Sequence, residues 1–212
     1  MNEILDVYDA KLHRIGTATR EEVHKKGYWH QTFHCWIIRE ESDEHYVLFQ
    51  IRDRSKDVAP NKLDITAAGH LKAGETKEDG LRELREELGL DVTVEDLIYL
   101  GIRITASENE KQINKEFAQV YLMQNNTPID EYAFEDGEVA GLVQMKISDG
   151  LRLCAGEIES VCCKAVKNDG IAMQVSDVNI EFKQLIPRID SYYYKIFIMA
   201  ERYFAGNRYL SI

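Results

Sequence analysis

The stretch "DITAAGHLKAGETKEDGLRELREELGLDV", residues 64–92, places Glu75, Glu78, Glu83, Glu86 and Glu87 within thirteen residues. Like charges at helical spacing repel one another by a few tenths of a kcal/mol per pair, so such crowding asks for free solvation or a shared cation. The segment from 77 to 89 reads as a helix. Thr76 can cap it, Glu78 and Asp79 occupy a first turn where the helix dipole favours acids, and Gly89 supplies the stop. Glu83, Glu86 and Glu87 then share one face at i, i+3 and i+4, while Leu81, Leu84 and Leu88 share another. The apolar stripe anchors the helix on a sheet. The acidic face presents hard oxygen ligands of the kind Mg2+ or Mn2+ takes, with substrate phosphates completing the shell. Upstream, Gly69 ends a strand, and the loop through Gly74 lets main-chain oxygens approach the same ions. Arg82 can orient a carboxylate through its planar fork.

Around that helix, alternation and β-branched residues mark strands at CWIIR (35–39), HYVLFQIR (45–52), LDITAAGH (63–70), IYLGIRITA (98–106), EFAQVYLM (116–123) and EVAGLVQM (138–145). Further helices are expected at about 148–155 and 188–204, the latter with Tyr192, Ile196, Met199 and Tyr203 at helical steps. Residues 157–186 read as strand-like, with a turn at KNDG (167–170). Strands before and after one carboxylate-rich helix, with helices behind, predict an α/β arrangement whose mixed sheet is covered on both faces.

The 212 residues suffice for one domain with a full core plus an extension. With 26 Lys+Arg against 37 Asp+Glu, the net charge is 26 − 37 = −11. That balance disfavours duplex nucleic acid and anionic membranes as partners, and a polyanionic small substrate would need metal ions or local arginines. The start, MNEILDVYDAKLHRIG, lacks the basic-then-apolar order of a signal peptide, and no apolar run is long enough to span a bilayer. A cytoplasmic protein is expected. Cys35, Cys154, Cys162 and Cys163 form no C-x-x-C pair and read as core or surface thiols.

The helix and its loop resemble the box of the Nudix family, Gly-x5-Glu-x7-Arg-Glu-U-x-Glu-Glu-x-Gly-U with U apolar. Gly69, Glu75, Arg82, Glu83, Leu84, Glu86, Glu87, Gly89 and Leu90 take those places. One departure is the six residues TKEDGL between Glu75 and Arg82, where the pattern has seven. It leaves the place of Glu75 relative to the helix open. The resemblance implies a Nudix-type α/β/α sandwich with a mixed sheet, plus a C-terminal α/β extension. It divides the chain into a Nudix domain over residues 1–156 and an extension over 157–212 packed on that core. It also implies that Glu83, Glu86 and Glu87 hold Mg2+ or Mn2+, with the Gly69 carbonyl as a further ligand and Arg82 and Glu75 in support. The implied chemistry is cleavage of a diphosphate linkage by water, as in a nucleoside triphosphate or other nucleoside diphosphate derivative. Glu83 and Glu87 both stand as candidates for the base.

The flanks, over roughly residues 4–150, resemble isopentenyl-diphosphate isomerase, a Nudix-fold enzyme that moves a double bond. The segment LDVYDAKLHRIGTATREEVHKKGYWHQTFHCW resembles its start. By this resemblance His24, His30 and His70, with Glu116 of QINKEFAQVY, take the places of a metal site. Arg52 and Lys56 of IRDRSKDVAP take those of residues that grip the diphosphate. Two departures weigh against isomerisation: the cysteine preceding the Gly-His pair is Ala68 here, and a second metal glutamate is Asn114. Moving a double bond by protonation and deprotonation needs an acid and a base on opposite faces of the substrate, and one of the pair is missing. The isomerase in turn lacks the intact Arg-Glu-U-x-Glu-Glu run that this chain keeps. Hydrolysis is therefore the expected chemistry, with an isomerase-like enzyme on prenyl diphosphates and a non-catalytic nucleotide-ligand sensor as alternatives. His34 and Cys35 read as strand packing and Glu138 as a turn residue. The tyrosines of SYYYKIF (191–197) read as core or as the contact of a homodimer.

Overall fold

The computed structural model describes residues 3–56, 58–108, 112–134, 137–168 and 172–212. Among them are eleven strands: β1 (Ile4–Tyr8), β2 (Arg14–Thr19), β3 (Trp29–Glu41), β4 (Glu44–Arg52), β5 (Leu63–Asp64), β6 (Ala67–His70), β7 (Leu97–Glu108), β8 (Ile113–Gln124), β9 (Val139–Lys146), β10 (Ser160–Asn168) and β11 (Met173–Glu181). Four helices accompany them: α1 (Arg20–Lys26), α2 (Arg82–Leu88), α3 (Ile147–Cys154) and α4 (Tyr192–Phe204). None of the helices is long and apolar enough to cross a membrane.

The strands form one mixed sheet in the order β11-β10-β9-β4-β3-β1-β2, with β5 on β4, β6 and β8 on β3, and β7 on β8. Only β3 and β8 run parallel; the other named pairings are antiparallel. Side chains alternate along β3, so Trp36 and Ile38 enter one core while Phe33, Cys35 and Ile37 enter another on the opposite face. The first core takes Leu153 of α3 and Tyr192, Ile196 and Phe197 of α4; the second takes Leu84 and Leu88 of α2. Helices thus cover both faces, as the sequence pattern requires.

Three boundaries differ from the sequence reading, each for a local reason. The stretch 63–70 is two strands, because β5 pairs with β4 and β6 with β3. Thr66 sits where those partners separate: its hydroxyl accepts from Ile37 N at 3.0 Å and donates to the Leu48 carbonyl. The carboxylate helix begins at Arg82, preceded by a 3-10 turn at Asp79–Leu81. A 3-10 turn rises roughly 2.0 Å per residue against roughly 1.5 Å in an α-helix, so a segment one residue short can still span the gap. Thr76 helps set that turn by donating its amide and hydroxyl to Asp79 at 2.7 and 2.9 Å. Finally, α4 starts at Tyr192 rather than 188, because Arg188 and Asp190 are drawn into ion pairs with Asp64 and Arg103.

The N-terminal hairpin β1–β2 and helix α1 carry no strong sequence signal. They are held by a small core of their own, Leu5, Val7, Ala18 and Val23, and β1 pairs with β3 at Tyr8 and Trp29. Beyond α3, β10 and β11 form a hairpin that extends the sheet from β9. Of the expected KNDG turn, Asp169 and Gly170 lie outside the described residues.

Candidate active site

Helix α2 separates its carboxylates. Glu83 and Glu87 turn inward and are only 8% and 5% exposed, while Glu86 stays outside on Arg82, accepting from Nη1 at 3.1 Å. Arg82 also donates from Nε and Nη2 to Glu75 at 3.0 and 3.3 Å, and from Nη2 to the His70 carbonyl at 2.8 Å. Glu75 therefore reaches Arg82 despite the shortened spacing. Strand β6 runs directly beneath the inward pair: the Ala68 amide donates to Glu87 at 3.1 Å, and a Cβ on Gly69 would overlap the Glu83 carboxyl. Burial pushes the Glu83 carboxyl up to about 7; the nearby Arg82 charge opposes this and Glu86 reinforces it. Burial, and then the charge of Glu83, pushes Glu87 up to about 8.

His24 on α1, His30 on β3 and His70 on β6 converge, with ring centroids 5.1, 5.3 and 5.2 Å apart and ligand atoms within 4.8 Å of one another. His24 Nδ1 meets the Arg20 carbonyl at 2.8 Å and His30 Nδ1 the Tyr28 carbonyl at 3.1 Å. A carbonyl only accepts, so both Nδ1 atoms carry a proton, which leaves Nε2 as the ligand atom of a neutral ring. His30 Nε2 is buried and has no hydrogen-bond partner among the described residues. His70 Nδ1 lies 3.5 Å from a Glu3 oxygen. Burial above all holds the His30 and His70 rings below the ordinary histidine value, so both are neutral at pH 7. Neutral imidazoles pinned through one nitrogen with the other free form a donor set suited to a cation. Glu116 stands beside His30 in the parallel register and accepts from the Thr105 hydroxyl at 3.4 Å.

The Lys56 charge bears on Glu87, and both Arg52 and Lys56 are engaged. Arg52 donates to the Val58 carbonyl at 3.1 and 3.0 Å and to Asp64 at 3.3 Å, and Lys56 is ion-paired with Glu138. The second Asp64 oxygen accepts from Arg188 at 2.7 Å. Charges on Lys56 and Asp64 both bear on Glu87, in opposite senses. Asp64 and Arg188 escape the sequence reading. Asp64 looks like any strand-start acid, and its partner lies 124 residues away with no motif around it. His34 is buried and its Nδ1 lies 3.1 Å from the Tyr192 hydroxyl, which also accepts from Trp36 Nε1 at 2.9 Å. Tyr192 and Tyr193 are buried in the core. Cys35 sits opposite Ala67, with its side chain in the core on the α2 side of the sheet and its thiol pushed up by burial.

The NUDIX domain family matches residues 29–157. An uncharacterized Nudix hydrolase of Clostridium acetobutylicum is 38% identical over 193 residues, covering 90% of this chain and 93% of the relative. An isopentenyl-diphosphate Delta-isomerase of Aliivibrio fischeri is 31% identical over 144 residues, covering 67% of this chain and 79% of the relative. Among solved structures, DR0079 of Deinococcus radiodurans shares the fold with a TM-score of 0.52 at 21% identity, covering 73% of this chain and 90% of that one. The family match over residues 29–157, with a relative 38% identical along nine-tenths of the sequence, means that the chain belongs to the Nudix family, as an enzyme of its hydrolase class.

Proposed function

We propose that the chain is a Mg2+- or Mn2+-dependent hydrolase that splits a diphosphate linkage in a nucleoside diphosphate derivative. The observation that carries this reading is the inward pair Glu83 and Glu87, side by side and nearly buried, with the single Arg82 charge divided among Glu75 at 3.0 Å, Glu83 at 2.5 Å and Glu86 at 3.1 Å. Buried carboxylates are costly without a counter-charge, and Nudix enzymes generally use divalent metals. Glu83, Glu86 and Glu87 with the Gly69 carbonyl would hold the ion, which when bound neutralises phosphate charge and acidifies a water. Arg82 keeps Glu75 and Glu86 in place. Glu83 or Glu87 accepts the water's proton. Arg52 and Lys56 contact the diphosphate from the Asp64 side. A net charge of −11 disfavours nucleic acid and fits a small-molecule substrate in the cytoplasm, met by metal ions and local arginines.

His24, His30 and His70, with Glu116, support a second cation site, on the strength of the unpartnered His30 Nε2. That site alone does not make an isomerase. Ala68 brings no thiol, and Cys35 belongs to the opposite face of the sheet.

The test is a mass-spectrometric product assay with Mg2+ or Mn2+ on nucleoside triphosphates, ADP-ribose, nucleotide sugars, dinucleotides and isopentenyl diphosphate, beside Glu87→Gln. Metal-dependent cleavage that falls by about a hundredfold or more in the variant is the expected result. Full turnover by Glu87→Gln, or conversion of isopentenyl diphosphate to its allylic isomer, overturns the reading.

A further inference from the structure

Buried polar side-chain atoms without a partner are uncommon in native folds, and each needs an explanation. Five of the seven found among the described residues gather in one place: His30 Nε2, Thr32 Oγ1, Asn114 Oδ1, Arg103 Nη1 and Arg188 Nε. Strand register explains the gathering. Arg103, Ala118, Thr32 and His70 stand in one row across β7, β8, β3 and β6. Thr105, Glu116 and His30 form the row on one side, and Val120, His34 and Ala68 the row on the other. Residues opposite one another share a face, so this face is a polar rim around two alanines, Ala118 and Ala68. Ala68 also joins the face to the carboxylates, since its amide donates to Glu87.

The segment ahead of α4 lies over this face. Asp190 accepts from Arg103 Nε and Nη2 at 2.9 and 2.6 Å, the Arg103 guanidinium stacks 4.2 Å from the Tyr192 ring centroid, and the Tyr192 hydroxyl meets His34. Both arginines are already neutralised, Arg103 by Asp190 and Arg188 by Asp64. What remains on each is a donor without surplus charge. Such donors, with the Thr32 hydroxyl and the Asn114 carbonyl, suit neutral oxygens: hydroxyls, ring oxygens, carbonyls. An alkyl chain laid here would leave every one of them unmatched.

We propose that this face is the subsite for the group X carried by the diphosphate, and that Thr32, Arg103 and Arg188 select an oxygen-rich X over a prenyl chain. The proposal rests on the hydrolase reading only for the position of the diphosphate. Arg188 lies beyond residue 157, where the family match ends, so part of the selectivity comes from the C-terminal segment. The experiment is calorimetric titration of the full chain, with Ca2+ replacing Mg2+ to slow turnover, using ADP-ribose, ADP, UDP-glucose, UDP and isopentenyl diphosphate. At least one sugar-bearing ligand binds about tenfold or more tighter than its nucleoside diphosphate. Thr32→Val and Arg103→Met remove most of that gain while holding the affinity for ADP and UDP within about twofold. Thr32→Val keeps the test sharp if Arg103→Met, which strands Asp190, fails to fold. No gain for either sugar, a gain that survives Thr32→Val, or tighter binding of isopentenyl diphosphate than of both sugar ligands overturns the proposal. The binding differences stand whether or not Glu87→Gln abolishes cleavage, so the two readings fail separately.

Discussion

Gly69 decides whether Glu83 can lie against β6, because any Cβ there would occupy the space of the carboxyl. Gly69→Ala should force Glu83 outward and lower metal-dependent turnover by about a hundredfold, while the melting temperature moves by only a few degrees; steady-state kinetics beside a thermal melt checks this. A second prediction concerns pH. In the metal-free protein Glu83 and Glu87 hold their protons up to about 7 and about 8, well above the 4.5 of a free carboxyl. The folded state then binds more protons than the unfolded state, so stability falls as pH rises through those values. Buried neutral histidines act in the opposite sense, but only below their ordinary 6.5. In EDTA the melting temperature should therefore drop between pH 6.5 and 8.5, and excess Mg2+ should reverse the drop; a flat profile in EDTA would show that the inward pair is already compensated. At this scale the box residues were legible, because helical spacing alone puts Glu83 and Glu87 together. Asp64, Arg103 and Arg188 were not, since their partners are distant in sequence and an isolated charge carries no pattern.

Among the elements, α2 and the strands around it were readable from periodicity, and the misplaced boundaries mark where tertiary contacts outweigh it. Strand 63–70 is continuous by propensity and is broken by the parting of β3 and β4. Thr66 bridges that gap with one hydroxyl serving both Ile37 N and the Leu48 carbonyl. Thr66→Val keeps the shape and strands both backbone groups in a buried setting, at a cost of about 2–5 kcal/mol. Urea denaturation reads this directly. A change below about 0.5 kcal/mol would mean that β3 and β4 are held apart by packing alone. The early end of the expected helix has a similar cause, because Gly80 lies hard against the Phe33 ring and the chain turns there in a tighter 3-10 form.

For the whole molecule, the sequence suggests a break at residue 156, where the recognisable pattern stops. The core does not break there. Val161, Cys163, Ala165, Ile180, Leu185, Tyr192, Ile196 and Phe197 share one buried cluster with Trp36, Phe49 and Met145. Strand β10 also pairs along β9 from Lys164 to Lys167, so its removal would leave β9 as a bare edge. A chain cut after residue 156 should therefore lose the cover of Trp36 and Phe49, expose an unpaired strand and aggregate, whereas the full chain should melt in one transition. Expression of both forms, followed by calorimetry on the soluble fraction, tests this. A soluble 1–156 fragment with its own cooperative melt would show that the extension is a separable unit laid on a finished core. An insoluble fragment would mean that the segment bearing Arg188 and Asp190 is bound into the folding of the site it covers.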